Sequence, residues 1–255
     1  MKKNYKIVIG YDGTRYFGWE HQPDQVTIQG KIEDVLTHLS EKQVEVIGAG
    51  RTDAGVHAEG MVAHFPLDVD MNVTELQDYM NHYLPDDIVI KEVREASDRF
   101  HARYNAIGKT YRYLCYDGVT KPLFDRKYVW TIEQRLDITK MQEAAQYLIG
   151  EHDFCSFCKN PQKKKSTVRT VDRIEITRTS SRMEADDAKD YISFTFHGNG
   201  FLRNMVRILT GTLVGVGLGE IEPERVKVIL EAQNRETAGV TAPAKGLCLM
   251  RVDYM

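Results

Sequence analysis

The stretch Gly48–Ala58, which reads GAGRTDAGVHA, separates two strand-like segments in the first half of the chain. Gln43–Gly48 precedes it and Met61–Leu67 follows it, and both have the composition of β-strands. The small residues and three glycines of the stretch permit tight turns and close approach to a ligand. Functional side chains concentrate on such loops because the sheet holds the loop in position.

The segments on either side of this loop predict a β-α-β-β-α-β order. In chain order they are a strand over Tyr5–Tyr11, a helix over Ile28–Leu39 capped by Thr27, the two strands beside the loop, a helix capped by Asn72 and closed by Pro85, and a strand over Ile88–Val93. This is the order of the ferredoxin-like unit, which many RNA-binding sheets share.

The second half of the chain predicts the same order of elements. Its segments are a strand over Lys109–Tyr116, a helix from Asp137 to Gly150, strands over Val168–Ile176 and Tyr191–Phe196, helices over Phe201–Leu213 and near Glu222–Gln233, and a last strand over Leu247–Val252. We therefore predict an α/β (α+β) chain made of two ferredoxin-like halves with mainly antiparallel sheet, residues 1–104 and 105–255.

Composition narrows the class of protein without naming a function. The chain has 255 residues, of which 42% are hydrophobic and 28% charged, and this balance excludes disordered and fibrous classes. The longest uncharged run, Ile208–Gly219, is too short and glycine-rich to span a bilayer, and the N-terminus lacks the apolar core of a signal peptide. The four cysteines are then expected to be reduced thiols of a cytoplasmic protein without a membrane partner.

Charge is distributed unevenly along the chain, although the net charge is only −3. Arg99–Tyr116 holds four cations, no acid and several interleaved aromatic residues. That mixture suits a flexible nucleic acid, since cations bind phosphates and aromatic faces stack bases, but it also fits a strand with one solvated face. Lys159–Arg182 has a net charge of +6 and Asp68–Asp98 one of −7, so a near-neutral chain can still present a basic face.

Two sets of side chains are candidates for chemistry. In the glycine-rich stretch, Asp53 is a candidate nucleophile or general base, and Arg51 a candidate contact to a phosphate or base. Alternatively, Asp53 caps a turn and Arg51 pairs with a surface acid. On the predicted helix after Gly200, Arg203 and Arg207 are four residues apart and are expected to share a face, either reaching a cleft and keeping Asp53 ionised or lying at the surface.

The same residues carry a resemblance to a known family. Gly50–Ala58 resembles the signature of the tRNA pseudouridine synthase A (TruA) family. Further blocks of the chain are similar to that family and occur in family order: Tyr11–Trp19, Thr27–Gly30, Phe100–Arg103, Lys109–Tyr113, His152–Phe154, Phe201–Arg207, Thr241–Pro243 and Gly246–Leu247. Glu20, where the family pattern has Gln, and Lys245 depart from it.

The resemblance implies an enzyme that isomerises uridine to pseudouridine in the anticodon stem-loop of tRNA, at tRNA positions 38, 39 and 40. It implies the pseudouridine synthase fold, with two halves around a positively charged cleft, a homodimer that binds tRNA, and no metal or organic cofactor. The target base must leave its stack to be reached.

The resemblance also implies roles for individual side chains. Asp53 would be the catalytic nucleophile, attacking C1′ or the ring or assisting a glycal route. Tyr111 would stack under the target uracil, and Arg207 would pair with Asp53. Arg51 would help to hold the flipped nucleotide. The remaining predicted substrate contacts are Arg103, Lys109, Arg203 and His57.

Two other functions fit parts of the sequence. A zinc nucleobase deaminase would use His57-Ala58-Glu59 and the Cys155–Cys158 pair, but Phe154 replaces the proline of that pattern and the two motifs are far apart in the chain. A non-catalytic RNA-binding protein would present the same basic and aromatic surface. The intact Arg51-Thr52-Asp53 stretch argues against it.

Overall fold

The computed structural model describes residues 2–161, 165–180 and 190–255. The chain divides into two compact units, one formed by Met1–Ile107 with Cys248–Met255 and the other by Gly108–Leu247. Within the described ranges, no helix is long and apolar enough to cross a membrane. The predicted basic segment Lys159–Arg182 includes Lys163, Lys164 and Arg182, which lie outside the described residues.

The described residues form strands and α-helices with the following bounds. The strands are β1 (Lys3–Tyr11), β2 (Ile47–Gly48), β3 (His57–Leu67), β4 (Ile88–Ala96), β5 (Ala106–Tyr116), β6 (Trp130–Thr131), β7 (Gly150–Asp153), β8 (Val168–Thr179), β9 (Tyr191–Gly198) and β10 (Leu247–Tyr254). The helices are α1 (Ile28–Ser40), α2 (Val73–Tyr83), α3 (Ile138–Gln146), α4 (Met205–Gly217) and α5 (Arg225–Glu231). Most strand pairs are antiparallel, which confirms the predicted α+β class.

The first unit has the strand order of a ferredoxin-like sheet. β1 lies between β4 and β3, and β2 pairs with β3, all antiparallel. Tyr5, Ile7 and Ile9 of β1 are buried at every second position, as expected for one face of a strand packed on a core. Helix α1 buries Ile28, Ile32 and Leu36.

The N-terminal capping residues of the two helices in this unit are those that the sequence predicts. The Thr27 hydroxyl accepts a hydrogen bond from the Gly30 N–H, 3.2 Å away, at the start of α1. Asn72 caps α2 and Glu75 returns a bond to the Asn72 N–H, so both halves of a capping box are present. The predicted caps are therefore confirmed.

The strand before the glycine-rich stretch is much shorter than predicted. Only Ile47–Gly48 of the expected Gln43–Gly48 is strand. The Val44 N–H donates to Thr37 Oγ1 at 3.3 Å and the Val46 N–H to Glu33 Oε1 at 3.0 Å. These amides are satisfied by side chains of α1 instead of a neighbouring strand.

The second unit is a sheet in the order β5-β9-β8-β7, with β6 beside β5. β5, α3, β8, β9 and α4 follow the predicted order, while the short strands β6 and β7 were not predicted. The expected last strand, β10, pairs with β3 through Cys248 and Leu249 and so belongs to the first unit. The predicted division placed all of residues 105–255 in the second half, whereas the structure places β10 in the first unit. Pairing between strands that are distant in sequence determines which unit contains β10.

Helix α4 begins later than predicted. Asn204 has a φ of 61°, in the left-handed region, so the chain is not helical until Met205. Arg203 therefore lies before the helix and does not share a helical face with Arg207. That prediction was wrong. From Met205 to Gly217 every residue except Arg207 is buried.

Candidate active site

The segment Ala49–Val56, here called the Asp53 loop, connects β2 to β3. Asp53 lies at a tight turn, where the Val56 N–H donates to the Asp53 carbonyl oxygen at 3.1 Å. Gly55 has a φ of 77° in this turn, which favours glycine over any residue with a side chain. The Asp53 side chain is half-buried between the buried Thr52 and the exposed Ala54.

The chain before α1 holds the Asp53 loop along its backbone. The Trp19 N–H donates to the Thr52 carbonyl at 3.1 Å, and the Gly55 N–H donates to the Tyr16 carbonyl at 3.3 Å. Gly18 has a φ of 92°, and a Cβ there would lie 2.6 Å from the Thr52 oxygen. The two segments thus approach more closely than a side chain at Gly18 would allow.

A buried side-chain bond fixes the loop from the sheet side. The hydroxyls of Tyr11, on β1, and Thr52 are 2.8 Å apart, and both residues are buried. This contact places the residue before Asp53 against the end of a central strand. The turn that carries the carboxylate is consequently held on both sides.

Arg51, within the Asp53 loop, and His57, directly after it, lie in different surroundings. Arg51 is exposed and its guanidinium pairs with the carboxylate of Glu20. This is the surface ion pair that the sequence had left open as an alternative. His57 is buried, and its Nδ1 accepts the Gly13 N–H at 3.1 Å, with Asp12 Oδ1 also 3.1 Å away. The imidazole therefore ties the start of β3 to the segment before α1.

In the second unit, Tyr111 lies on β5 opposite Phe196 of β9. Its side chain is only 8% exposed, and its ring meets that of Phe201 edge to face, with centroids 5.2 Å apart and an interplanar angle of 86°. Lys109 is two positions earlier on the same strand and so on the same face. Phe201 was not among the predicted site residues, although its block had been singled out.

Arg207 is held in place by the segment that follows α5. Its Nε donates to the Ala242 carbonyl at 2.8 Å, and the Ala242 N–H donates back to the Arg207 carbonyl at 3.1 Å. The Tyr113 hydroxyl donates to the Pro243 carbonyl at 2.7 Å, and burial raises the pKa of Tyr113, which keeps the hydroxyl protonated as a donor. These bonds orient the guanidinium of Arg207.

The other predicted contacts are spread over the two units. Arg203 is exposed in the turn before α4, and its carbonyl accepts the Lys159 N–H at 3.1 Å. Arg103 is exposed in the turn before β5, in the first unit. The structure therefore brings Arg51, Asp53 and His57 into one loop region, and Tyr111 with Lys109 onto one strand face.

Comparison with known proteins decides the family. The family model described as tRNA pseudouridine synthase matches residues 7–105 and 144–255. The chain belongs to the tRNA pseudouridine synthase family. The resemblance seen in the Asp53 loop and in the other sequence blocks is thereby confirmed, as is the prediction of an isomerase.

Curated members of the tRNA pseudouridine synthase family match almost the whole chain. A protein named tRNA pseudouridine synthase A from Bacillus sp. (strain KSM-64) is 46% identical over 98% of this chain and 99% of its own length. One of the same name from Brevibacillus brevis (strain 47 / JCM 6285 / NBRC 100599) is 43% identical over 99% of this chain and 100% of its own. A solved Cbf5-Nop10-Gar1 complex matches at 12% identity with a TM-score of 0.33, covering 96% of this chain and 57% of that chain, a likeness too low to support an inference.

Membership in the tRNA pseudouridine synthase family argues against the two other functions considered. Among the described residues, no group of three or more His, Cys, Asp or Glu side chains is arranged to hold a metal ion. Cys155 and Cys158, the pair required by a deaminase, are free thiols at the two ends of a short 3-10 turn. His57 Nδ1 accepts a hydrogen bond from the Gly13 N–H.

Proposed function

We propose that this protein converts uridine to pseudouridine in the anticodon stem-loop of tRNA, at tRNA positions 38, 39 and 40, with Asp53 as the nucleophile. The observation that carries the proposal is the Asp53 loop itself. It presents a half-buried carboxylate on a turn fixed by both backbone and side-chain bonds, in a chain whose curated relatives are named tRNA pseudouridine synthase A.

The reaction rearranges bonds within one nucleotide. The C1′–N1 glycosidic bond breaks, the uracil turns, and C1′ joins C5. The hydrogen on C5 leaves as a proton and N1 gains one, so nothing is added to or lost from the nucleoside overall. Neither an electron acceptor nor a group donor is therefore required.

A fixed carboxylate suits this reaction because the target base moves into the site, whereas the nucleophile is already in position when the base arrives. Extruding the target base costs a few kcal/mol. Tyr111 would stack with the extruded uracil, and such stacking returns about 1–3 kcal/mol. The edge contact with Phe201 sets the tilt of the Tyr111 ring before any base arrives.

Two arginines complete the proposed site. The Arg207 guanidinium, oriented by the Ala242 carbonyl, would pair with Asp53 and favour its ionised form. Arg51 would exchange Glu20 for a phosphate of the flipped nucleotide, since guanidinium binds carboxylate and phosphate in the same bidentate way. Arg103, Lys109 and Arg203 would contact the tRNA backbone, and His57 would act by holding the start of β3.

The setting of the enzyme is part of the proposal. We propose a homodimer acting in the cytoplasm, where tRNA is processed. The four cysteines are free thiols, as a reducing compartment favours.

Mapping the product tests the proposal. A tRNA transcript with uridines at 38, 39 and 40 is incubated with the protein, treated with a carbodiimide that marks pseudouridine, and read by primer extension. Stops at these positions, absent with Asp53→Asn, are expected. Modification confined to other positions would refute the assigned substrate site, and stops with Asp53→Asn would refute the assigned nucleophile.

A further inference from the structure

The turn before β5 presents an aromatic ring to solvent. Tyr104 is 79% exposed, which is unusual for so large an apolar surface. One face of its ring stacks on His101, with centroids 4.1 Å apart and an interplanar angle of 29°. The exposure leaves the opposite face available to a planar ligand.

Hydrogen bonds within the turn hold this ring in place. His101 Nδ1 accepts the N–H groups of Arg103 at 3.2 Å and Tyr104 at 3.3 Å. Asn105 Oδ1 accepts the His101 N–H at 2.7 Å, and the Asn105 N–H donates to the His101 carbonyl at 3.0 Å. The entropy cost of ordering this turn when a ligand stacks on Tyr104 is therefore small.

Further rings pack against the turn, of which His64 is buried and Phe100 and Tyr254 are half-buried. The His101 ring contacts that of His64 at 4.8 Å, and Phe100 contacts both His64, at 5.9 Å, and Tyr254, at 5.3 Å. We call His64, Phe100, His101, Tyr104 and Tyr254 the aromatic ladder.

The ladder is also tied to the backbone of the turn. The Tyr254 hydroxyl donates to the Ala102 carbonyl at 2.6 Å, and His64 Nδ1 accepts the Ala102 N–H at 3.1 Å. Burial, followed by the charge of His101, lowers the pKa of His64, which keeps it neutral and able to accept this bond. The exposed Tyr104 ring thus ends a series of ring contacts that reaches the buried His64.

Cations lie close to the ladder. Arg99, just before the turn, and Arg103, within it, are both exposed, and no acid occurs between Arg99 and Tyr116. The ammonium of Lys6 lies over the Tyr254 ring, 4.2 Å from its centroid. A ligand that is both planar and anionic fits this combination, and an unstacked nucleotide has both properties.

We propose that Tyr104 is a stacking platform for one unstacked base of the RNA substrate, a base other than the target uridine, with Arg99 and Arg103 contacting its phosphates. The inference rests on the proposed function and adds a second aromatic contact to the one assigned to Tyr111. It makes Tyr104 a substrate-binding residue with no part in the chemical step.

Substitution of Tyr104 tests the platform. Tyr104→Ala is expected to raise both Kd and KM for a tRNA transcript about 5- to 150-fold, the range of one lost base stack, with kcat unchanged. Tyr104→Phe is expected to stay within about twofold of wild type, because the ring is retained.

Tyr83 offers a matched control. It is 53% exposed and contacts other rings, but lies within the acidic stretch Asp68–Asp98. Tyr83→Ala is expected to leave Kd and KM unchanged.

A fluorescent variant gives a direct readout of stacking. The chain has two tryptophans, Trp19 and Trp130, so wild-type protein supplies the background signal. Tyr104→Trp is expected to bind tRNA with near-wild-type Kd and to lose emission on binding, whereas Tyr83→Trp is not. Absence of extra quenching with Tyr104→Trp would overturn the inference even if Tyr104→Ala proved unstable.

The failures of the two proposals are distinguishable. An active wild-type enzyme whose Kd is unchanged by Tyr104→Ala contradicts the platform alone. No pseudouridine with wild-type protein contradicts the proposed function. If Tyr104→Ala instead changes the mass measured by light scattering with tRNA affinity per chain unchanged, the ring is an interface between copies of this chain and the platform is refuted.

Discussion

The guanidinium of Arg51 pairs with the carboxylate of Glu20. Glu20 directly follows Trp19, and the Trp19 N–H donates to the Thr52 carbonyl oxygen. The ion pair is therefore a second link between this segment and the Asp53 loop. Both side chains are well exposed, Arg51 at 62% and Glu20 at 43%, so the pair can be exchanged without unfolding the loop. Glu20 thus occupies guanidinium donors of Arg51 that the proposed contact to a phosphate of the flipped nucleotide would use.

We expect Glu20→Gln to bind tRNA more tightly. An exposed ion pair contributes at most about 1 kcal/mol, so its removal is expected to lower KM by up to about fivefold and leave kcat unchanged. Steady-state kinetics with a tRNA transcript measure both constants. Glu95→Gln, which breaks the exposed Lys3–Glu95 pair, is the matched control and should have no effect. An unchanged or higher KM in Glu20→Gln would show that Glu20 does not compete with the substrate.

We expect Tyr11→Phe to weaken both the fold and the catalytic step. The change removes the buried hydrogen bond to Thr52, which is worth about 0.5–1.5 kcal/mol of unfolding free energy, and loosens the residue next to Asp53. Urea unfolding and kcat are the measurements, with kcat falling more than KM changes.

Tyr5→Phe is the control for that experiment, since the buried Tyr5 hydroxyl on the same strand has no hydrogen-bond partner among the described residues. It should be neutral or slightly stabilising. If Tyr5→Phe and Tyr11→Phe lowered kcat equally, the Tyr11–Thr52 bond would have no specific role.

We expect the ring of Tyr111, and not its hydroxyl, to contribute to tRNA binding. Tyr111→Phe keeps the ring against Phe201 and should bind tRNA within about twofold of wild type. Tyr111→Leu keeps apolar volume at this buried position and should raise Kd about 5- to 150-fold for lack of a stacking face. Binding assays at matched folded fractions make the comparison. Equal Kd values for the two variants would contradict stacking on Tyr111.

The segment that holds the Asp53 loop is expected to lose stability in alkali. Burial, and then the hydrogen bond to Asp87, raise the pKa of Tyr16 to about 12. The unfolded chain loses this proton at a lower pH, near 10. The contribution of Tyr16 to stability is therefore complete below pH about 10 and is lost as the pH rises toward 12.

Urea unfolding of wild type and Tyr16→Phe tests this loss of stability. The measurements run from about pH 8 to about pH 12, roughly two units on either side of the pKa of tyrosine in the unfolded chain. The difference in unfolding free energy between the two proteins should shrink as the pH rises above about 10. A difference that is constant over this range would exclude the Tyr16–Asp87 bond as a source of pH dependence.

The predictions that succeeded depend on neighbouring residues. Thr27, Asn72 and Asp137 cap helices α1, α2 and α3, and each cap is read from a few residues of sequence. The residue types suited to chemistry in the Asp53 loop were likewise evident, because a carboxylate, a guanidinium and two glycines occur within eight residues.

The predictions that failed depend on distant partners or on one backbone angle. The amides of Val44 and Val46 bond to side chains of α1, which no strand pattern reveals. β10 pairs with β3 across most of the chain length. Arg203 left the predicted helix because Asn204 takes a positive φ. The sequence did not identify Glu20 as the partner of Arg51, because the two residues are 31 positions apart and come into contact only in the folded chain.

Release of tritium from tRNA labelled at uracil C5 tests the central claim most directly, because joining C5 to C1′ must expel that hydrogen. We predict steady release by wild type and by Asp34→Asn, a change on the exposed face of α1, and none by Asp53→Asn that still binds tRNA. Release by a clean Asp53→Asn preparation, or no release by wild type bound to tRNA, would contradict the account.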